Sequence, residues 1–550
     1  MGHRLAPLIA AALVFAGCAA PDSAVSIERS DQIQTASLDD DPFSQTSPTE
    51  PNDPAVTTDD SVPVSDPSTP SSDPDSTVPA EPVVLDPDAI DFGENKPERE
   101  YDDFLLAALA DIDVWLTEQF PSTFGQPWTP LEGKVYAGYP ERTDELPGCG
   151  EPTTTYDELQ LFVAFYCPVG DFIIYDDGDD PVEVAPGQTI PPILYSLAEQ
   201  FGPATIGIVL AHEYGHAIQA RTGALDQNLP TVTTEQQADC IAGAWAGRAA
   251  AGLAPGVPFD DGDVRAGLIS MISVQDPVGT DPNASGGHGS GFDRVGAFQV
   301  GFQNGLARCA ELIDDPLPLT PLRFTASDIQ TNGDANFGFS AVDDLFVFLI
   351  EDLNLLYDND LEVAFPNFER LELVPVQSEL DATCSAPVGD FADGVLLCPE
   401  TNLVYLNEPV ARSLYEDFGD FGPAYMLGLA WAEAAQISAN SGLTGEERQL
   451  RNDCLTGNWV RTDIPVLDEN GNFVITTVTD PETGEVLETV LPQPRDVERT
   501  ASISPNDLTE AIQTAILIGD ESNDQDVKGS AFEKIDAFRR GALQGISACT

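Results

Sequence analysis

The residues with the clearest chemical potential are His212 and His216, with Glu213 between them. They lie in the stretch FGPATIGIVLAHEYGHAIQA (201–220), which is apolar over most of its length. Residues four apart share one face of a helix, so the two imidazoles can be aimed at a single metal ion. Glu213 then sits within reach of a water on that ion, which is the mechanical content of the H-E-x-x-H pattern. The pattern predicts a buried helix over 201–220, with Pro203 in the first turn, where its missing N–H costs nothing. Two histidines and a glutamate inside a buried helix are costly unless they are paired or coordinated. The bland alternative is a pair of hydrogen-bonded core histidines.

Metal-assisted hydrolysis needs a third protein ligand and an open fourth position. Glu235 follows nineteen residues after His216, in TTEQQADCIAGAWAGRAAAG (233–252). Thr234 with Gln237 three residues on predicts a capping box and the start of a second helix. Glu235 and Asp239 share a face of that helix. Glu235 is the candidate third ligand, and Asp239 the candidate partner that fixes one histidine ring. This order resembles the gluzincin arrangement, in which a glutamate ligand is followed four residues later by an aspartate. The alternative is a solvated carboxylate pair at a helix start.

Zinc (Zn2+) is the metal this set points to, lowering the pKa of a bound water towards ~7. Glu213 is then the general base, taking the proton and passing it to the leaving amine. His288, in GHGSGFDR (287–294), is the candidate donor to the oxyanion. Its alternative is a loop-fastening role. Arg294 is expected to pair with a carboxylate of the fold. Tyr214 falls on another face and is expected to pack, and Gly215 to allow close helix approach.

The elements that must position these groups belong to a long, very acidic chain. It has 550 residues, 93 Asp+Glu against 23 Lys+Arg, and a net charge of −70. That balance argues against nucleic-acid partners and against a basic patch for anionic lipid. Residues 1–18 have the pattern of an export signal: Arg4, an apolar run from Leu5, then Phe15-Ala16-Gly17-Cys18. They resemble a bacterial lipoprotein signal, with Cys18 as the lipidated residue; cleavage nearby by an ordinary signal peptidase, giving a secreted protein, is the alternative. The only membrane contact expected is this N-terminal anchor, placing the protein outside the cell membrane. Residues 19–98 are rich in Asp, Ser, Thr and Pro and are expected to form a disordered, self-repelling tether. The sequence carries no signal for oligomeric state.

Nine cysteines occur, and assigning Cys18 to lipid leaves an even set of eight, as suits an oxidising compartment. Their surroundings repeat. CPVGDFIIYDD (167–177) is echoed by CPETNLVYLNE (398–408), and FGPA at 201 by FGPA at 421. EQQADCIAGAW (235–245) is echoed by QLRNDCLTGNW (449–459), and AFQVGFQNGLARC (297–309) by AFRRGALQGISAC (537–549). An amphipathic helix is expected before each set, in DDFLLAALADIDVWL and DDLFVFLIEDLNLLY. We therefore expect two tandem copies, 99–315 and 340–550. Symmetry suggests the disulfides Cys149–Cys167, Cys240–Cys309, Cys384–Cys398 and Cys454–Cys549, other connectivities remaining open.

The second copy also acts as an internal control. Counted from FGPA and from Asp-Cys, His212, His216 and Glu235 fall on Ala432, Gln436 and Gln449. Glu213 falls on Glu433 and Asp239 on Asp453. The frame survives without the ligands, which favours a functional role for them in the first copy. Residues 463–493 form an insertion with hairpin signals.

The segments around Cys149-Gly150, FYCPVGDFIIYDD, AHEYGHAIQ, EQQADCIAGAWAG and HGSGFDRVGAFQVGFQNG occur in one order. Together they resemble the neutral zinc metallopeptidase family of bacteria. The resemblance implies an α+β, mainly helical zincin-like domain with short β-segments and a zinc-dependent activity, the second copy being degenerate. The resemblance supplies no substrate; the expectation, from the proposed mechanism, is a peptide or protein outside the membrane. Two rivals are a non-catalytic surface lipoprotein with a structural zinc, and a hydrolase of another amide, such as one in cell-wall material.

Overall fold

The computed structural model describes residues 25–28, 85–159, 162–185, 188–190, 192–276, 287–320, 339, 345–464, 475–479, 486–490, 503–504, 506–519 and 528–549. Cys18 and the whole export segment lie outside these residues. The protein is a mixed α+β structure in which helices dominate and the sheets are short. Among the described residues, no helix is long and apolar enough to cross a membrane.

The first half begins with β1 (Val25–Glu28), β2 (Ile90–Asp91) and α1 (Asp102–Phe124). There follow β3 (Val135–Gly138), β4 (Leu146–Pro147), β5 (Thr153–Thr154), α2 (Tyr156–Leu159), β6 (Phe162–Cys167) and β7 (Phe172–Asp176). A small hairpin, β8 (Val182–Ala185) and β9 (Gln188–Ile190), leads to α3 (Ile193–Phe201). The main helices are α4 (Ala204–Thr222), α5 (Thr231–Ala250), α6 (Asp261–Ser273) and α7 (Gly291–Glu311). The principal sheet has the order β1-β6-β7-β3-β2. β6 and β7 form an antiparallel hairpin through the Cys-Pro turn, and β3 runs parallel to β7.

The second half contains α8 (Leu345–Leu355), β10 (Glu372–Val376), β11 (Val395–Cys398), β12 (Leu403–Asn407) and α9 (Glu408–Phe418). Then come α10 (Phe421–Ser438), α11 (Gly445–Arg461), β13 (Ile475–Thr479), β14 (Val486–Val490), α12 (Asp507–Ile518) and α13 (Ala531–Gln544). Here β11 and β12 form the antiparallel hairpin, again closed by Cys-Pro, and β10 runs parallel to β12. In the expected insertion, β13 and β14 pair antiparallel.

Close helix contacts follow from glycine. α5 and α7 cross so tightly that a Cβ at Gly243 would lie 1.9 Å from the Phe298 carbonyl oxygen. One at Gly301 would lie 1.7 Å from that of Cys240. α11 and α13 cross in the same way, with Gly457 against Phe538 and Gly541 against Cys454, at 2.0 and 1.9 Å. Each crossing carries a disulfide, Cys240–Cys309 and Cys454–Cys549. The other two, Cys149–Cys167 and Cys384–Cys398, tie a loop to the end of β6 and of β11. Each half also buries a tryptophan indole N–H on a carboxylate. Trp245 donates to Asp111 of α1 at 3.1 Å, and Trp459 donates to Asp352 of α8 at 2.9 Å. One continuous apolar core runs through both halves.

Two expectations need correction. The folded part starts before residue 99, because Ile90 is buried and β2 pairs with β3. Lys96 is also held by Asp102 and Asp177, at 2.8 and 3.1 Å. The acidic composition of 19–98 hides this short anchoring segment. The helix carrying Glu235 starts at Thr231, after Pro230, and not at Thr234. Pro230 is the N-cap residue, at φ −56° and ψ 137°, and the helix begins directly after it. Thr234 lies inside the helix, its hydroxyl donating to the Thr231 carbonyl at 2.7 Å, and forms no capping box.

Candidate metal centre

α4 is buried from Ala204 to Gln219, so every polar side chain on it must find a partner inside the protein. Gly215 lets α5 come close: a Cβ there would lie 2.7 Å from Ala238 Cα. That approach brings Glu235 of α5 to the two histidines of α4. His212 Nε2 and His216 Nε2 are 3.1 Å apart. Glu235 Oε2 is 3.3 Å from the first and Oε1 is 3.5 Å from the second. All three residues are buried, and each offers one ligand atom within 4.8 Å of the others.

The partners of the histidines fix their tautomers. His212 Nδ1–H donates to Asp239 Oδ1 at 2.7 Å. Asp239 can only accept, since Arg294 grips it in two-pronged fashion at 3.0 and 2.7 Å. Burial opposes the charge on Asp239, but Arg294 and His212 hold its carboxyl below the usual range. His216 Nδ1–H donates to Gln219 Oε1 at 2.9 Å, because the Gln219 amide nitrogen is committed to the Thr234 carbonyl at 2.6 Å. Both Nε2 atoms therefore turn lone pairs toward each other and toward a carboxylate. Neither Glu235 oxygen has a hydrogen-bond donor. Such a convergence of acceptors is repulsive unless a proton or a cation lies among them.

Without metal, a proton does this work on one ring. Burial opposes charge on His212, yet Asp239 and Glu235 hold its pKa up at about 9. Burial, against the pull of Glu235 and with the His212 charge adding, lowers His216 to about 4. A metal fits equally well. Donor atoms around a tetrahedral ion at ~2.0–2.1 Å stand about 3.3 Å apart, and two imidazoles with one carboxylate are a known zinc donor set.

Glu213 lies beside this group, and neither of its oxygens has a hydrogen-bond partner. Burial pushes its pKa up to about 8; Glu235 adds to this, while His212, the Tyr166 backbone of β6 and His288 oppose it. His288 sits on the loop before α7. Asp276 holds it twice, at Nδ1 (3.1 Å) and at its backbone N–H (2.7 Å). Burial opposes its charge, but Glu235 and Asp276 hold its pKa above the ordinary value, so it is electrostatically coupled to the ligand group.

The structure thus brings His212, His216, Glu235, Asp239, Glu213 and His288 into one neighbourhood. Tyr214 packs near Trp128, ring centroids 6.4 Å apart, away from the ligands. Sequence reasoning missed Gln219 and Asp276. Gln219 had a signal: it is a lone polar side chain three residues after His216 on an apolar helix. Asp276 had none, because its partner is twelve residues away in sequence.

The matching place in the second half holds a closed polar network. Glu433 accepts from Arg448 at 2.7 Å and from Asn452 at 2.8 Å, and Gln436 donates to Asn452 at 2.6 Å. Asp453 is held by Lys534 at 2.9 Å, as Asp239 is by Arg294. Two further groups bring three candidate ligand atoms together among the described residues. In one, Cys384 and Cys398 are already bonded to each other. In the other (Asp420, Asp507 and Glu510), Glu510 accepts from the Phe421 backbone and Asp507 from the Ser504 backbone.

No family model matches the chain, and no solved structure matches it. The chain is similar to uncharacterized proteins of Mycobacterium bovis and Mycobacterium tuberculosis, 33% identical over 165 residues. The match covers 26% of this chain and 52% of theirs, so the chain spans about half the length of the curated relatives it matches.

Proposed function

We propose that the chain is a zinc-dependent metallopeptidase that hydrolyses peptide bonds outside the membrane. The observation that carries this reading is the convergence of two imidazole lone pairs and a donorless buried carboxylate within 3.1–3.5 Å, beside the unpartnered carboxylate of Glu213. His212, His216 and Glu235 would hold the ion, three ligands being the count of a site with an open position. When bound, zinc supplies Lewis acidity to water and to a substrate carbonyl. Glu213, buried beside the ligand group with no hydrogen-bond partner on either oxygen, would take the proton from water and return it to the leaving amine. His288, held by Asp276 at Nδ1 and at its backbone N–H, would donate toward the negative charge that develops on the carbonyl oxygen. Asp239 and Gln219 keep the ligand rings aligned.

The same reading includes a duplicated zincin-like domain related to the neutral zinc metallopeptidases. What supports duplication is the shared hairpin topology, the paired glycine crossings, the two tryptophan–aspartate bonds and the matched cysteines. It also includes export with a lipid on Cys18, which four disulfides favour.

The test uses the chain from residue 19 onward. Zinc content after reconstitution and peptide-library cleavage, with and without chelator, are compared for wild type and Glu213→Gln. Retained zinc with turnover lowered by about 10²–10⁴-fold is expected. A wild type that binds zinc yet cleaves no peptide favours the non-catalytic lipoprotein instead.

A further inference from the structure

We propose that the second half of the chain is a positioning element of the metal centre, acting through Arg539 on the first turn of α7. The proposal rests on the metal-site reading above and assigns the ligand-free half a part in it.

The first turn of α7 has a demanding task. It carries Arg294, whose guanidinium holds Asp239, which in turn orients His212. It also follows directly on the loop that carries His288. Within its own half the turn is secured by Ser290, which caps Asp293 N–H at 3.2 Å, and by Gln275, which accepts from Gly291 N–H at 2.8 Å.

Thr320 also donates to the Asp293 carboxylate and Arg294 to the Val274 carbonyl, and further support comes from α12 and α13. Arg539 donates to the Phe292 carbonyl, and its guanidinium carbon stands 4.2 Å from the Phe292 ring centroid. Gly296 has no side chain where that guanidinium sits: a Cβ there would lie 1.8 Å from Arg539 Nη2. Phe538 adds an edge-on ring contact to Phe292, and Thr509 of α12 reaches Gln275 at 3.4 Å. One planar cation therefore fixes the carbonyl and the ring of Phe292, two residues before Arg294. A second set of contacts joins the same helices further along. Gln299 donates to the Phe532 carbonyl at 3.0 Å, and Phe302 packs on Phe532 at 4.7 Å. That set holds the halves together without touching the turn, which separates positioning from plain adhesion.

The experiment compares Arg539→Met with Gln299→Ala in the chain from residue 19 onward. Zinc affinity is measured by competition with a chromophoric chelator, the visible spectrum of the cobalt(II)-substituted protein is recorded, and metal-free thermal unfolding is followed. For R539M, zinc affinity is expected to fall on the order of tenfold, the size seen for groups supporting metal ligands, with a changed cobalt spectrum. Q299A should lower the unfolding temperature while leaving zinc affinity and spectrum unchanged. Arg539→Lys keeps the cation over the ring and should recover part of the affinity. R539M with wild-type affinity and spectrum overturns the proposal, as does a loss in both variants that simply follows stability. If R539M does not fold, R539K decides: a folded R539K with unaltered zinc affinity overturns it as well. A wild type that binds no zinc is a different result and removes the metal-site reading itself.

Discussion

At the scale of single residues, two hydrogen bonds do more than the ligands themselves to define the site. Asp239 and Gln219 occupy the Nδ1 atoms, so the Nε2 lone pairs have one direction left to face. Gln219→Leu keeps the volume and removes the acceptor. Zinc affinity should drop about 10–100-fold, read by chelator competition, and the metal-free unfolding temperature should also fall, because His216 Nδ1–H and the Thr234 carbonyl lose their buried partner. The titrations carry a signed prediction for the metal-free protein. Glu213 rises from 4.5 to about 8 and His212 from 6.5 to about 9 on folding. Groups whose pKa is raised bind protons more tightly in the folded state. Their stabilising effect is complete below the unfolded values and is lost as pH rises through the folded ones. Metal-free thermal unfolding should therefore move to lower temperature between about pH 6.5 and pH 9, while below that window His216, lowered from 6.5 to about 4, offsets the Glu213 share. Glu213→Gln should remove the Glu213 share of that slope. Zinc should remove the His212 share, because the ion replaces the proton.

At the scale of elements, the site depends on how closely helices approach. Gly215 sets the distance between α4 and α5, and Gly243 with Gly301 sets that between α5 and α7. Gly301→Ala would press a methyl group into the Cys240 carbonyl. It should destabilise by about 2–4 kcal/mol in urea unfolding, as over-packing against rigid backbone does. Sequence periodicity located these helices, and the glycines of the matching segments were visible in the repeat. Where the prediction failed, local chemistry had been weighed too heavily: Thr234 and Gln237 have the spacing of a capping box, but Pro230 starts the helix a turn earlier.

At the scale of the molecule, one apolar core spans both halves, and the first turn of α7 lies against α13. A piece ending at residue 320 would expose Phe292 and Phe302, which pack on Phe538 and Phe532. That piece should bind a hydrophobic dye and unfold at lower temperature, and less cooperatively, than the chain from residue 19 to 550. Equal unfolding temperatures by calorimetry would show that the halves are energetically independent. The second half, whose Glu433 is held by Arg448 and Asn452, has neutralised its own buried carboxylate without metal. Its stability should be indifferent to chelator.

The sequence by itself determined whatever depends on neighbours along one helix or on like segments compared with each other. His212, Glu213 and His216 share a turn, and Glu235 and Asp239 share a face, because helix geometry needs no knowledge of distant contacts; the repeated segments suggested four cysteine pairs but left other connectivities open. Only the tertiary structure decided what crosses between elements: Asp276 on His288, Arg294 on Asp239, and Arg539 on Phe292. Those partners lie well apart along the chain. Their meeting is set by which faces pack and how closely, a quantity that composition and spacing do not encode.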